Sequence, residues 1–152
     1  MRSDVAQPAA IVLAGGLALL GGALAFEHLG GLVPCEMCIW QRQAIAAALV
    51  LATLALVLTS RAVAALAAVA MLGNAAIAGF HAGVEQKWWE GITRCATTPS
   101  GGSTADIIGA ILATPLVRCD AIPWSLFGIS MAGWNFIIAS IIGALALWRL
   151  KA

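Results

Sequence analysis

The chain alternates long apolar runs with short polar interruptions. No Asp, Glu, Lys or Arg occurs from Ala6 to Phe26, from Gln43 to Ser60, from Ala62 to Phe80, or from Ala121 to Trp148. A helix that crosses the hydrocarbon core of a bilayer needs about 20 mostly apolar residues, and each run supplies a window of that kind. Backbone groups in lipid must pair within their own segment, which selects helices over open strands. The pattern therefore predicts a single integral membrane domain over 1–152, with helices over about 8–29, 35–60, 62–84 and 123–148. No run carries a polar stripe wide enough to face water, which argues against a soluble apolar bundle. The first run is long, weakly flanked and followed by further spans. It reads as an uncleaved helix and not as a secretory signal.

The connections differ in length. Gly30-Gly31 to Pro34 joins the first two helices, and Pro34 suits the first turn of the second. A short turn around Ser60-Arg61 leads into the third. The third loop, about 85–122, is the longest. It opens on Trp88-Trp89, an aromatic pair suited to a membrane interface, and passes through a flexible Pro99–Ser103 linker. Ser103 or Thr104 can then cap a short helix over 104–113, with Asp106 in its first turn. Ile107, Ile108, Ile111 and Leu112 would form one apolar face, so this segment is expected to lie on the membrane surface. The fold class is thus all-α: a four-transmembrane-helix bundle whose third loop carries a short membrane-surface helix. Within the spans, Ala14, Ala18 and Gly22 recur every four residues and predict a close-packing face. Asn74 is expected to hydrogen-bond a neighbouring helix, although a ligand contact would also suit it.

Composition agrees with this picture. The 152 residues are 62% hydrophobic and 10% charged, against about 25% charged in soluble domains. The net charge of +1, without a basic run, gives no indication of nucleic-acid binding. Four spans put Arg2, Arg61, Arg149 and Lys151 on the side of the termini, and Arg42, Lys87, Arg94 and Arg118 on the other. Counted as basic residues the two sides nearly tie, but the first group lies tight against the membrane ends, which favours cytoplasmic termini. All four cysteines, Cys35, Cys38, Cys95 and Cys119, then fall on the opposite face. An even set confined to one face suits an oxidising space such as the periplasm.

The cysteines carry the candidate chemistry. Cys35 and Cys38, three apart, sit in the first turn of a helix, where orphan N–H groups and the helix dipole favour a thiolate. Arg42, four residues after Cys38, shares their face and keeps its charge. It can stabilise a Cys38 thiolate or a ligand anion, or snorkel to the headgroups. The Cys35–Cys38 pair can be redox-active or a structural disulfide. Structural zinc usually needs two tight knuckles, and Cys95 and Cys119 form none. Cys95 and Cys119 flank the linker and surface helix, next to Arg94, Arg118 and Asp120. A bridge between them can staple the loop or, exposed and mobile, exchange with other thiols. Two reactive pairs would make a relay from water-borne thiols to a lipid-soluble oxidant. His81 and Glu85, four apart at the end of the third helix, can bond a ligand, each other, or the interface. Glu27 and His28 read as interfacial. A non-catalytic scaffold with stapled loops is the competing reading.

Four spans, Cys-x-x-Cys-x-x-x-Arg at the head of the second helix, and a third-loop cysteine pair resemble the DsbB family of bacterial disulfide bond formation proteins. The resemblance covers nearly the whole chain. PCEMCIWQR (34–42) is its most specific part, with FHAGVEQKWW (80–89) and CDAIPWSLFGIS (119–130) alongside. The compact third loop is a departure. The resemblance implies a protein-disulfide oxidoreductase of the bacterial inner membrane. Its partner would be a periplasmic DsbA-like thioredoxin-fold protein whose thiolate attacks Cys95. Cys119 would pass electrons on to Cys35 and Cys38. Cys38 and Arg42 would face a quinone, ubiquinone or menaquinone, with His81 and Glu85 as further candidates for its carbonyls. A vitamin K epoxide reductase-like enzyme is the alternative redox class, but there the Cys-x-x-Cys falls near the C-terminus.

Overall fold

The computed structural model describes residues 3–92 and 117–151. Four helices in it are long and apolar enough to cross a membrane: α1 (Ser3–His28), α2 (Glu36–Leu58), α3 (Arg61–Glu85) and α4 (Met131–Lys151). Helix α3 is central, packing against α2 and α4 most extensively, and α1 closes the bundle against both. Cys95 and the expected surface helix over 104–113 lie outside the described residues.

Local chemistry sets the boundaries. Gly31, at φ 68°, turns the chain after α1. Cys35 caps α2, its sulfur accepting from the Cys38 N–H at 3.3 Å. Thr59, in the left-handed region, ends α2, and Ser60 caps α3 by accepting from the Val63 N–H at 3.4 Å. Helix α1 starts before Pro8, with Asp4 in its first turn, where the helix dipole favours an acid.

Helix α4 begins at Met131 and not at 123 as the uncharged run predicts. The intervening residues form a hairpin, β1 (Ser125–Leu126) paired antiparallel with β2 (Ile129–Ser130). Its two-residue turn, Phe127-Gly128, has φ of 54° and 78°, the positive pair that a tight hairpin needs. Ser130 then accepts from the Gly133 N–H at 3.1 Å and caps α4.

The core is rich in alanine, which lets the helices approach closely. Ala48, Ala52 and Ala55 of α2 meet Ala64, Ala67, Ala68 and Met71 of α3, with Ala139 and Ala146 of α4. The packing face of α1 is Val5, Ala9 and Val12, continued by Gly16. A Cβ on Gly16 would come within 2.9 Å of Leu49. This corrects the expectation for the small-residue stripe. Ala14 and Ala18 are exposed, a Cβ on Gly22 would meet nothing within 4 Å, and Ala18 and Gly22 border a cavity. There the small residues leave space between helices in place of closing it. Asn74 does bond a neighbouring helix, donating to Asn135 Oδ1 of α4 at 3.1 Å, a contact worth about 0.6 kcal/mol on average in membranes.

The two ends of the bundle differ. At one, the Arg61 guanidinium donates to the Leu150 carbonyl and lies 3.8 Å from Asp4, and Arg149 reaches Gln7 at 3.4 Å. These contacts gather the start of α1, the α2–α3 turn and the end of α4. The other end carries Cys35, Cys38, His81, Glu85 and Cys119.

Candidate functional site: a dithiol beside an intramembrane cavity

The site is built where α2 starts and α3 ends. Capping buries Cys35 at 6% exposure, while Cys38, one turn on, stays partly open. Their sulfurs are 3.0 Å apart, with Cys35 donating to Cys38. The inner, buried cysteine is the donor and the outer one receives the hydrogen bond. Cys119 reaches the same place from the third loop, where it packs with Cys35, Met37, Val84 and Phe80 in one apolar cluster.

Asp120 fixes the segment holding Cys119. Arg118 donates to its two oxygens at 2.8 and 2.7 Å, and Lys87 Nζ donates at 2.6 Å. Arg118, then Lys87, hold the Asp120 carboxyl well below the usual carboxylate range. Lys87 follows directly on the end of α3, so the clamp ties the returning loop to the helix that carries His81.

His81 sits under the dithiol. Its Nε2 is 3.6 Å from Cys35 Sγ and 3.9 Å from Glu85 Oε1, and its Nδ1 is 2.8 Å from Gln41 Nε2. Asn135 donates to Gln41 Oε1 at 2.6 Å and pairs with Asn74. Ser130 donates to Glu85. A continuous polar chain thus runs from the hairpin through Glu85, His81, Gln41 and Asn135 to Asn74. Among the described residues no buried side-chain nitrogen or oxygen lacks a partner, as burial in a low-dielectric interior requires.

A cavity of about 400 Å³ opens beside these groups. Its apolar walls come from α1 (Leu19, Phe26), the hairpin region (Trp124, Leu126) and α4 (Ile138), and Cys35, Cys38, Gln41, Arg42, His81 and Glu85 also border it. Trp124 packs its ring on Phe26 at 4.8 Å, joining two of these walls. Arg42 donates to the Glu27 carboxylate and to the Ala23 carbonyl, the latter at 3.2 Å. The sequence placed Glu27 at the interface; in the structure it neutralises Arg42 at the cavity wall.

Cys35, Cys38, Arg42, His81, Glu85 and Cys119 therefore converge on one end of the bundle, and Cys95 lies outside the described residues. Sequence reasoning missed Gln41, Asn135, Ser130 and the partnership of Glu27. A polar amide inside an apolar span was the available signal for Gln41 and Asn135.

These features define a multi-pass helical membrane protein with a dithiol exposed to an apolar intramembrane cavity. The family model of "Disulfide bond formation protein DsbB" matches residues 6–149. The chain belongs to that family, whose members are disulfide oxidoreductases of disulfide bond formation. Curated relatives carry the name disulfide bond formation protein B. That of Verminephrobacter eiseniae is 34% identical, covering 86% of this chain and 77% of its own. That of Methylococcus capsulatus is 34% identical, covering 86% and 84%, and that of Azoarcus sp. is 30% identical, covering 88% and 84%. No solved structure matches the chain.

Proposed function

We propose that the protein is a thiol:quinone oxidoreductase of the bacterial inner membrane, with cytoplasmic termini and periplasmic cysteines. It reoxidises a DsbA-like thioredoxin-fold dithiol protein and delivers the electrons to a quinone. The observation that carries this reading is the opening of the Cys35–Cys38 pair onto an apolar cavity of about 400 Å³. Ligand sites of this size are mostly apolar, with a few polar groups to orient the ligand. Gln41, Arg42 and His81 are such groups on the cavity wall.

The chain's residues act in sequence. A partner thiolate attacks Cys95 of a Cys95–Cys119 disulfide and releases the Cys119 thiolate. The partner's second thiol resolves the mixed disulfide, and the partner leaves oxidised. Cys119, packed in the same cluster as Cys35, attacks an oxidised Cys35–Cys38 pair at Cys35 and frees Cys38. Cys95 then attacks Cys119, restoring the loop disulfide and leaving Cys35 and Cys38 reduced. A bound quinone supplies the two-electron acceptor. Cys38, the more open sulfur, faces the cavity, and Cys35 closes the disulfide behind it as two electrons and two protons depart. His81 and Glu85 hold those protons, and Arg42, anchored by its ion pair with Glu27, orients the acceptor.

The test is turnover of the purified protein with reduced partner and quinone, followed by quinone absorbance. Cys38→Ser and Cys95→Ser should each abolish it. Full activity in either variant rejects the relay.

A further inference from the structure

The dithiol has a third soft-metal donor beside it. Cys35 Sγ, Cys38 Sγ and His81 Nε2 all lie within 4.8 Å of one another, with 3.0 Å between the sulfurs and 3.6 Å from Cys35 Sγ to Nε2. We propose that the reduced Cys35–Cys38 pair and His81 form a binding site for a thiophilic divalent cation, of which Zn²⁺ is the representative, and that its occupation blocks oxidation of the pair.

The geometry is close to what the ion requires. Tetrahedral zinc, with Zn–S of about 2.3 Å and Zn–N of about 2.0–2.1 Å, sets its ligand atoms roughly 3.8 Å apart for S···S and roughly 3.5 Å apart for S···N. The distance from Cys35 Sγ to Nε2, 3.6 Å, already fits, and Cys38 Sγ starts within 4.8 Å of the same nitrogen. The sulfurs must open by roughly 0.8 Å to reach that geometry, a movement open to Cys38, the less buried of the two. The imidazole is also supported from behind. A ligating histidine almost always bonds a partner through its other nitrogen, and Nδ1 has the Gln41 amide at 2.8 Å, itself held by Asn135 at 2.6 Å. As it stands the Gln41 amide nitrogen faces Nδ1; with the amides of Gln41, Asn135 and Asn74 turned over together, every bond of the chain is kept in the opposite sense, Nδ1 donates to the Gln41 oxygen, and Nε2 is free to ligate. Three protein ligands leave a fourth position, which a water fills in an open site.

Charge and electron balance are simple. The cation displaces one proton from each thiol and forms two metal–sulfur bonds, and no electron moves. Two thiolates neutralise the ion, so an uncharged centre forms in a low-dielectric place. A disulfide offers no thiolate, so the oxidised protein has no such site. While the metal holds both sulfurs they cannot bond to each other, and electron delivery stops. The binding site rests on the geometry alone. Its inhibitory consequence rests on the proposed redox role, and the two are read separately.

The intact protein in detergent, reduced with a phosphine and freed of excess reductant, is titrated anaerobically with Co²⁺ as a spectroscopic stand-in. One Co²⁺ per chain is expected, with thiolate-to-cobalt charge-transfer bands and intense tetrahedral d–d bands that one equivalent of Zn²⁺ abolishes. Cys35→Ser and Cys38→Ser should lose the charge-transfer bands, His81→Gln should weaken binding at least tenfold, and Cys95→Ser should bind as wild type does. The oxidised wild type, which needs no substitution, should not bind. Equal binding by oxidised and reduced protein, bands that survive Cys35→Ser, affinity unchanged in His81→Gln, or loss in Cys95→Ser overturns the site. Zn²⁺ should also slow quinone-dependent oxidation of the dithiol at least tenfold, reversibly with a chelator. Metal-free protein that never reduces quinone would refute the redox reading and leave the cobalt result standing.

Discussion

Replacing Gly22 by leucine tests the cavity without altering a side chain that does chemistry. Gly21 and Gly22 are neighbours on α1, and a Cβ on either would meet nothing within 4 Å, but only Gly22 borders the cavity. Leucine adds four carbons. At about 30 Å³ each, by comparison with a water's share of liquid volume, they take roughly 120 Å³ of a cavity of about 400 Å³. Ligand atoms displaced from that space lose about 0.8 kcal/mol per CH₂, so four such groups set a ceiling of about 3 kcal/mol. If the ligand shifts to recover half, the remainder is still about tenfold in affinity. Leucine also favours a helix over glycine by up to about 1 kcal/mol, so the fold is not at risk. Steady-state quinone reduction with saturating reduced partner should show KM for quinone raised 10- to 100-fold in Gly22→Leu and unchanged in Gly21→Leu. Equal KM values in the two variants would refute the placement of the quinone in this cavity.

Three further outcomes follow from the same geometry. Arg42→Leu should raise KM for quinone tenfold or more and Arg42→Lys by less, since lysine keeps the charge opposite Glu27; equal KM in all three proteins would reject the role of Arg42. The Asp120 carboxyl is depressed by Arg118 and Lys87, so its contribution is complete above its unfolded value near 4 and is lost only as pH falls through the lower folded value. Asp120→Asn should therefore speed alkylation of Cys119 severalfold at every pH between about 5 and 8; equal rates in the two proteins, or a ratio that falls to one at the acidic end of that range, contradict the clamp. A Cβ on Gly83 would sit 2.0 Å from Trp89 Cζ2, so Gly83→Ala must lift that indole off Phe80, on which it stacks at 5.6 Å. The cost should be about 1–3 kcal/mol, read by thermal unfolding together with a shift in tryptophan fluorescence; unchanged spectra would show that the ring does not rest there.

The four spans were legible because charge is excluded from lipid, and the uncharged runs mark the helices to within a few residues. The start of α4 was not, because the hairpin at Ser125–Ser130 is as uncharged as the helix it precedes. Only the Phe127-Gly128 turn separates the two, and phenylalanine is an unusual residue for a positive φ. The inward faces were harder to read. These helices are apolar all round, so no stripe tells which side meets protein and which meets lipid. For that reason Ala14, Ala18 and Gly22 looked like a packing face, while Val5, Ala9 and Val12 make it. The cysteine pair and Arg42 could be read from local spacing on one helix. Convergence across helices could not. His81 lies 46 residues from Cys35, and Glu27 lies 15 residues before Arg42 on another helix.

The central step is the departure of electrons from Cys35 and Cys38 to a quinone in the cavity beside them. Anaerobic single turnover of the fully reduced protein with one equivalent of quinone tests this most directly, with thiols mapped by alkylation and mass spectrometry. The prediction is one quinol formed per Cys35–Cys38 disulfide, at a rate independent of Cys95, and none in Cys38→Ser. Quinol formed while Cys35 and Cys38 both remain thiols, or formed at the wild-type rate in Cys38→Ser, would contradict it.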